Sequence, residues 1–215
     1  MYKIILDLEF CKLPKIYKDM ITNCQNEVIQ IGAVKLDDND EIIDEFNEYV
    51  KPIYSFVDKK IENLTHITND MLSDKDVFTV VMDNFLDWIN DEEAVVYSWG
   101  KEDKIVIERE SKMKQYQDDR LDKMFDNWKD LQEIVDSILC VSQNLSLSNV
   151  LNGINVKFSG QQHSAVDDAK NTACIYQTIQ DRTLFEKKMK PLVDLMQPTE
   201  SLTFSMGNLL QEFSF

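Results

Sequence analysis

The stretch QHSAVDDAKNTACI, Gln162 to Ile175, decides how this chain reads. Ser164 followed three residues later by Asp167 has the pattern of a capping box, and Val166, Ala169, Ala173 and Tyr176 recur at helical spacing. The pattern predicts a helix beginning at Ser164. Positions five apart on a helix differ in direction by roughly 140°, so His163 and Asp168 could not share a face if both were helical. With His163 just outside the cap and Asp168 in the first turn, imidazole and carboxylate converge at the positive end of the helix. Such an end suits proton transfer beside a phosphate or a metal ion. A histidine at a helix start is by itself more often a surface or packing residue, so the weight falls on the rest of the chain.

Upstream, YKIILDLE (Tyr2 to Glu9) reads as a strand that is apolar on both faces until Asp7 and Glu9, which point to the same side. Packing gives a core strand no reason to carry two acids on one face, because unpaired buried charge is costly. The plain alternative is a strand end emerging into solvent. Glu27 to Leu36 and Glu41 to Val50 read as two further strands joined by the polar turn Asp37 to Asp40. Asp37, Asn39 and Glu41 imitate a calcium loop, but Ile42 stands where that loop requires glycine, so the hairpin is retained.

Ser73 and Asp76 form a second capping-box pattern before the stripe Phe78, Val81, Met82, Phe85 and Ile89, predicting a helix over the sheet. AVVYS (Ala94 to Ser98) is a short buried-strand signal, and Asp103 follows it just past the carboxyl end, where open α/β sheets place ligand groups. Lys112 to Asp130 reads as a solvated helix end and loop, Trp128, Leu131, Val135 and Ile138 as a helical stripe, and Leu147, Val150 and Leu151 as a short helix ended by Asn152-Gly153. The order of elements predicts one α/β domain with a mixed sheet.

Composition bounds the rest. A chain of 215 residues that is 43% hydrophobic supports one packed domain with a small appendage. A formal net charge of −16 repels nucleic acid at long range, so an enzyme acting on it would attract its substrate locally, for example through bound dications. Cys11, Cys24, Cys140 and Cys174 lie far apart and the histidines are His66 and His163 alone, which argues against a zinc site or a disulfide framework. The first ten residues are too short and too soon acidic for a signal peptide, and no apolar run reaches the roughly 20 residues of a membrane span, so a cytoplasmic protein is expected. Lys12, Lys15 and Lys18 fall in a predicted loop, Phe10 to Asn26, near the acidic strand end, where they can offset charge and touch phosphates. After Arg182 a basic stretch leads to a tail with Phe204, Met206, Leu209, Leu210, Phe213 and Phe215, apolar enough to pack back on the domain or on another subunit.

Asp7 and Glu9, then Asp103, then His163 and Asp168, with LTHIT at 64–68, SWGKED at 98–103 and NVLNGINVKFSGQQHSAVDDAKNTA at 149–173, resemble the DEDDh exonucleases of the RNase H-like superfamily. The likeness covers Met1 to about Asp181. It is closest to the branch holding the exoribonucleases of RNA interference and histone messenger RNA and the KapD-like bacterial sporulation inhibitors. The resemblance implies a mixed five-stranded sheet flanked by helices over residues 1–182, with 183–215 as an extension. It implies a 3′–5′ exonuclease acting on single-stranded RNA or DNA ends with two Mg²⁺ or Mn²⁺ ions. Asp7, Glu9, Asp103 and Asp168 would be the metal ligands and His163 the general base. The family commonly has Thr or Ala after the first Glu, whereas this chain has Phe10, a candidate substrate contact along with Lys12. The tail also raises a homodimer. The alternative from another class is a regulatory protein-binding module that keeps the fold, and the intact set of five residues argues against it.

Overall fold

The computed structural model describes residues 1–18, 24–90, 93–142 and 144–196. Strand β1 (Lys3–Lys12) is the centre of a five-stranded sheet. β2 (Asn26–Leu36) runs antiparallel on one side of it and is followed outward by β3 (Ile42–Tyr49), while β4 (Val95–Ser98) and β5 (Trp128–Asp130) run parallel on the other side. The order is β3-β2-β1-β4-β5.

Because side chains alternate across a strand, β1 feeds two separate cores. Ile4, Leu6 and Leu8 face helices α4 (Phe78–Ile89), α5 (Glu102–Met113) and α6 (Asp119–Asp126). Ile5 faces the other layer, made by α7 (Leu131–Leu139), α8 (Leu147–Gly153) and α9 (Ala165–Gln180). Asp7 and Glu9 follow Ile5 on this second face, where the apolar run stops. Three short helices lie at Lys15–Lys18 (α1), Lys59–Thr65 (α2) and Asn69–Leu72 (α3), and Ile61 of α2 and Leu72 of α3 join Cys11 near the end of β1 in a small core.

Several local expectations are corrected. β1 does not end at Glu9: a register shift between Glu9 and Phe10 leaves Ile29 of β2 unpaired, and Phe10, Cys11 and Lys12 go on pairing with Val28, Glu27 and Asn26. Trp128 belongs to the edge strand β5, where its indole N–H donates to Ser98 Oγ at 2.9 Å, and the helix starts only at Leu131. The charged stretch before it contains α6, whose Leu121 and Met124 are buried. Five of the eight residues of α6 are charged, so the short segment reads as solvated although Leu121 and Met124 share its buried face. Ser73 ends α3, donating its hydroxyl to the Asp70 carbonyl, and α4 starts at Phe78 with no side-chain cap.

Beyond α9 the chain makes a short helix (Arg182–Leu184), a π-helical turn (Phe185–Met189) and a last helix (Lys190–Met196). Met189 and Leu192 are buried in the α7–α8–α9 layer. Leu192 packs so closely on Gly153 that a Cβ there would lie 2.7 Å from it. The apolar tail from Phe204 onward lies outside the described residues. No helix among the described residues is long and apolar enough to cross a membrane.

Candidate active site

Register decides where the acids sit. Asp7 is the cross-strand partner of Gly32 and Glu9 of Gln30, so these four positions share one face of the sheet at its end. Gly32 leaves that face open: a Cβ there would lie 2.1 Å from the Val166 nitrogen and 2.2 Å from the Ala165 carbonyl carbon. The N-terminus of α9 therefore rests directly on the backbone of β2, one strand from Asp7. Gln30 fixes it there, accepting from the Ala165 amide at 3.1 Å while its own amide donates to Asn47 Oδ1 at 2.8 Å.

The helix starts at Ala165 with Ser164 in the cap position, but the Ser164 hydroxyl makes no capping bond, so the expected capping box does not form. The acids of the first turn instead serve the chain that precedes it. Asp168 accepts from the His163 amide at 2.8 Å, and Asp167 from the Gln161 amide at 2.9 Å. Asn171 accepts from the Ser159 amide at 3.0 Å and donates to the Ser159 carbonyl at 2.8 Å. His163 takes a left-handed conformation, φ 62°, which lets its amide and its imidazole both stay beside Asp168. Gly160, φ 85°, leaves room for the Asp167 carboxyl, which a Cβ would meet at 2.4 Å.

Asp103 enters from the opposite side, in the first turn of α5 and buried, with the Leu8 amide favouring its ionised form. Ligating atoms of Glu9, Asp168 and the exposed His163 lie within 4.8 Å of one another. Asp7 feels the charges of Asp103, Asp168 and Glu9 together. Burial, then this mutual repulsion, holds its carboxyl well above the usual range. The same causes push Glu9 to about 8. Burial raises Asp103 to about 7 and Asp168 to about 6, the latter against the opposing pull of His163. Among the described residues, no lysine or arginine is a leading perturber of these four acids. A crowd of hard oxygen donors with no cationic side chain fits divalent cations of the Mg²⁺ or Mn²⁺ kind.

The structure thus brings Asp7, Glu9, Asp103, His163 and Asp168 to one place. Phe10 does not join them: it is half-buried and packs against the α4–α5 side of the sheet. Lys12 is exposed at the last position of β1. His66 ends α2 in the left-handed conformation and is exposed. Gln30, Gly32, Gly160 and Asn171 support the site and were not singled out from the sequence. A glycine inside a strand pattern is the one available signal among them, since it marks close backbone approach.

The model of the RNase T exonuclease family matches residues 4–176. This chain belongs to that exonuclease family. It is a nuclease hydrolase, an exonuclease in a family that depends on metal ions. The PolC-type DNA polymerase III of Staphylococcus aureus (strain bovine RF122) is 39% identical to this exonuclease over 71 residues, 33% of the chain. The chain spans about 5% of the length of that relative. Among solved structures, the nuclease domain of 3′hExo bound to rAMP superposes with a TM-score of 0.71 at 23% identity, covering 84% of this chain and 92% of that one. Cell-death related nuclease 4 gives 0.69 at 23% identity, with 83% and 64% covered. Escherichia coli exonuclease I in complex with a dT13 oligonucleotide gives 0.66 at 13%, with 90% and 43% covered. The five-stranded mixed sheet flanked by helices is their fold.

Proposed function

We propose that this exonuclease removes 5′-mononucleotides one at a time from the 3′ end of a single-stranded RNA or DNA, with Asp7, Glu9, Asp103 and Asp168 holding two divalent cations and His163 acting as general base. The observation that carries the reading is the clustering of Glu9, Asp168 and His163 within 4.8 Å beside Asp7 and Asp103, whose charges act on one another, with no lysine or arginine among their leading perturbers in the described residues. Bound cations would neutralise the acids, polarise the phosphodiester and lower the pKa of an attacking water.

The chain's own residues do the rest. Asp7 and Glu9, on the rigid central strand, set one half of the cluster, and Asp168, on the helix that Gly32 admits, sets the other. His163 stands outside the helix on an exposed turn, where its ring can take a proton from water and pass it to solvent. Asp168 holds that turn through the His163 amide, so the imidazole stays beside the cluster.

The test is release of mononucleotides from a 3′-terminal strand with Mn²⁺ or Mg²⁺, compared with Asp7→Ala. Mononucleotide release that needs the metal and disappears in the variant is expected. Equal release by the variant would refute the assignment.

A further inference from the structure

Beside the end of β1 lies a strip that catalysis as described does not use. Ile16 is 73% exposed, Ile53 54% and Tyr54 37%. The ring of Tyr54 meets that of Tyr17 edge-on, centroids 5.6 Å apart, and so joins α1 to the segment before α2. The backbone under the strip is pinned. The fully buried Glu27 carboxylate accepts from the amides of Ile53 and Tyr54 at 2.9 Å each, and from the amide and hydroxyl of Ser55 at 2.7 and 2.6 Å. Lys114 balances Glu27 at 3.1 Å and Glu110 at 2.6 Å. Burying such a cluster is costly in desolvation, and here it holds in place a loop whose apolar side chains face water.

The loop under the strip is anchored to the same strand as Asp7 and Glu9. Ser55 Oγ lies 3.0 Å from Cys11 Sγ, and Cys11 is two positions past Glu9 on β1. Ile53 and Tyr54 also form one wall of a groove of about 310 Å³, lined further by Val77, Thr79, Met113, Gln115 and Lys114, whose ammonium is buried between Glu27 and Glu110. Its chemistry suits base faces. The four strip residues carry no charge, and a chain of net charge −16 is poorly placed to hold a polyanion through its phosphates. Aromatic and apolar platforms hold single strands by stacking, whatever the sequence.

We propose that the Ile16–Tyr17–Ile53–Tyr54 strip is a stacking platform for nucleotides upstream of the one being released. The proposal rests on the exonuclease reading above. This enzyme then grips a strand mainly through its bases, and its preference for unpaired ends follows, because paired bases cannot offer their faces.

The test uses the full chain with Mn²⁺ and two substrates: the p-nitrophenyl ester of thymidine 5′-monophosphate, which has no upstream nucleotide, and a five-nucleotide single strand. The readout is the ratio of kcat/KM for the strand to that for the ester. Tyr54→Ala should lower the ratio about tenfold, the size of one lost stacking contact. Tyr54→Phe should keep it, and Ile16→Ala should lower it less; that variant serves as the test if Tyr54→Ala fails to fold. Ester hydrolysis with an unchanged ratio in folded Tyr54→Ala and Ile16→Ala would overturn the platform alone and leave the strip to a protein partner. A fall in strand affinity of more than a hundredfold between 50 and 200 mM salt would overturn it too, since that marks a grip on many phosphates. A wild-type chain that cleaves neither substrate would sink the exonuclease reading along with it.

Discussion

Two groups of buried acids lie near the end of the same strand, β1, and they are treated in different ways. Glu27 and Glu110 share Lys114, and each also takes backbone amides: Glu27 those of the 53–55 loop, Glu110 that of Val28. Glu27 is thereby held below its ordinary pKa despite burial, while Glu110, short of donors, is pushed to about 7 by desolvation. Asp7, Glu9, Asp103 and Asp168 have no such counter-ion among the described residues, and all are raised. A fold that neutralises one acid cluster from within and leaves its neighbour bare marks the second as a place where charge comes from outside.

The contrast can be broken most forcefully by chemistry. Asp7→Asn should cut mononucleotide release by on the order of 10³-fold and yet leave the metal-free protein as stable as the wild type or more so, because one repelling charge is gone. Lys114→Met should do the reverse, costing about 3–5 kcal/mol in urea denaturation by stranding two buried carboxylates. A Lys114→Met protein with unchanged stability would mean that the two clusters do not differ in kind.

Gly32→Ala should cost about 1–3 kcal/mol, the scale of overpacking, since its Cβ would meet backbone 2.1 Å away. It should also lower activity by moving α9 off the strand; full activity would show that the close approach is not needed.

Acidity gives a smaller but cleaner signature. The raised site acids keep protons in the folded state that the unfolded chain releases near pH 4. The folded state therefore binds more protons between about pH 4 and 8, and stability without metal should fall as pH rises through about 6, 7 and 8. Melting temperature should drop by roughly 2–4 °C for each kcal/mol lost, and Mn²⁺ should restore the site's share of the loss, increasingly at higher pH. Glu110 adds to the fall, but metal should not recover its part. A melting temperature in Mn²⁺ that tracks the metal-free one at every pH would show that the bare cluster takes no cation.

The sequence exposed the site better than the scaffold around it. Asp7 and Glu9 were legible because alternation on an apolar strand makes two acids on one side conspicuous, and His163 with Asp168 because one stands outside the helix the other begins. The fifth strand was hidden: three residues, Trp128–Asp130, carry no period, and Trp128 fitted the helical spacing that follows it. The capping boxes at Ser164 and Ser73 misled for different reasons: Gln30 on β2 takes the amide at the start of α9, and Ser73 is spent locally, closing the end of α3 on the Asp70 carbonyl. Gln30 was invisible because its value lies in reaching an amide 135 positions away.

The turn before α9 is tied down by the helix's own residues: Asp167 holds Gln161, Asp168 holds His163 and Asn171 holds Ser159. Residues 159–171 thus brace one another as a cassette, carrying both the imidazole and its neighbouring carboxylate, with outside ties to Gln30, Thr65 and Ser148. Such a unit is portable in a way the strand half is not. It could be grafted onto another sheet whose receiving strand offers a bare glycine and a glutamine two positions earlier, whereas Asp7 and Glu9 gain their placement only from the strands on either side.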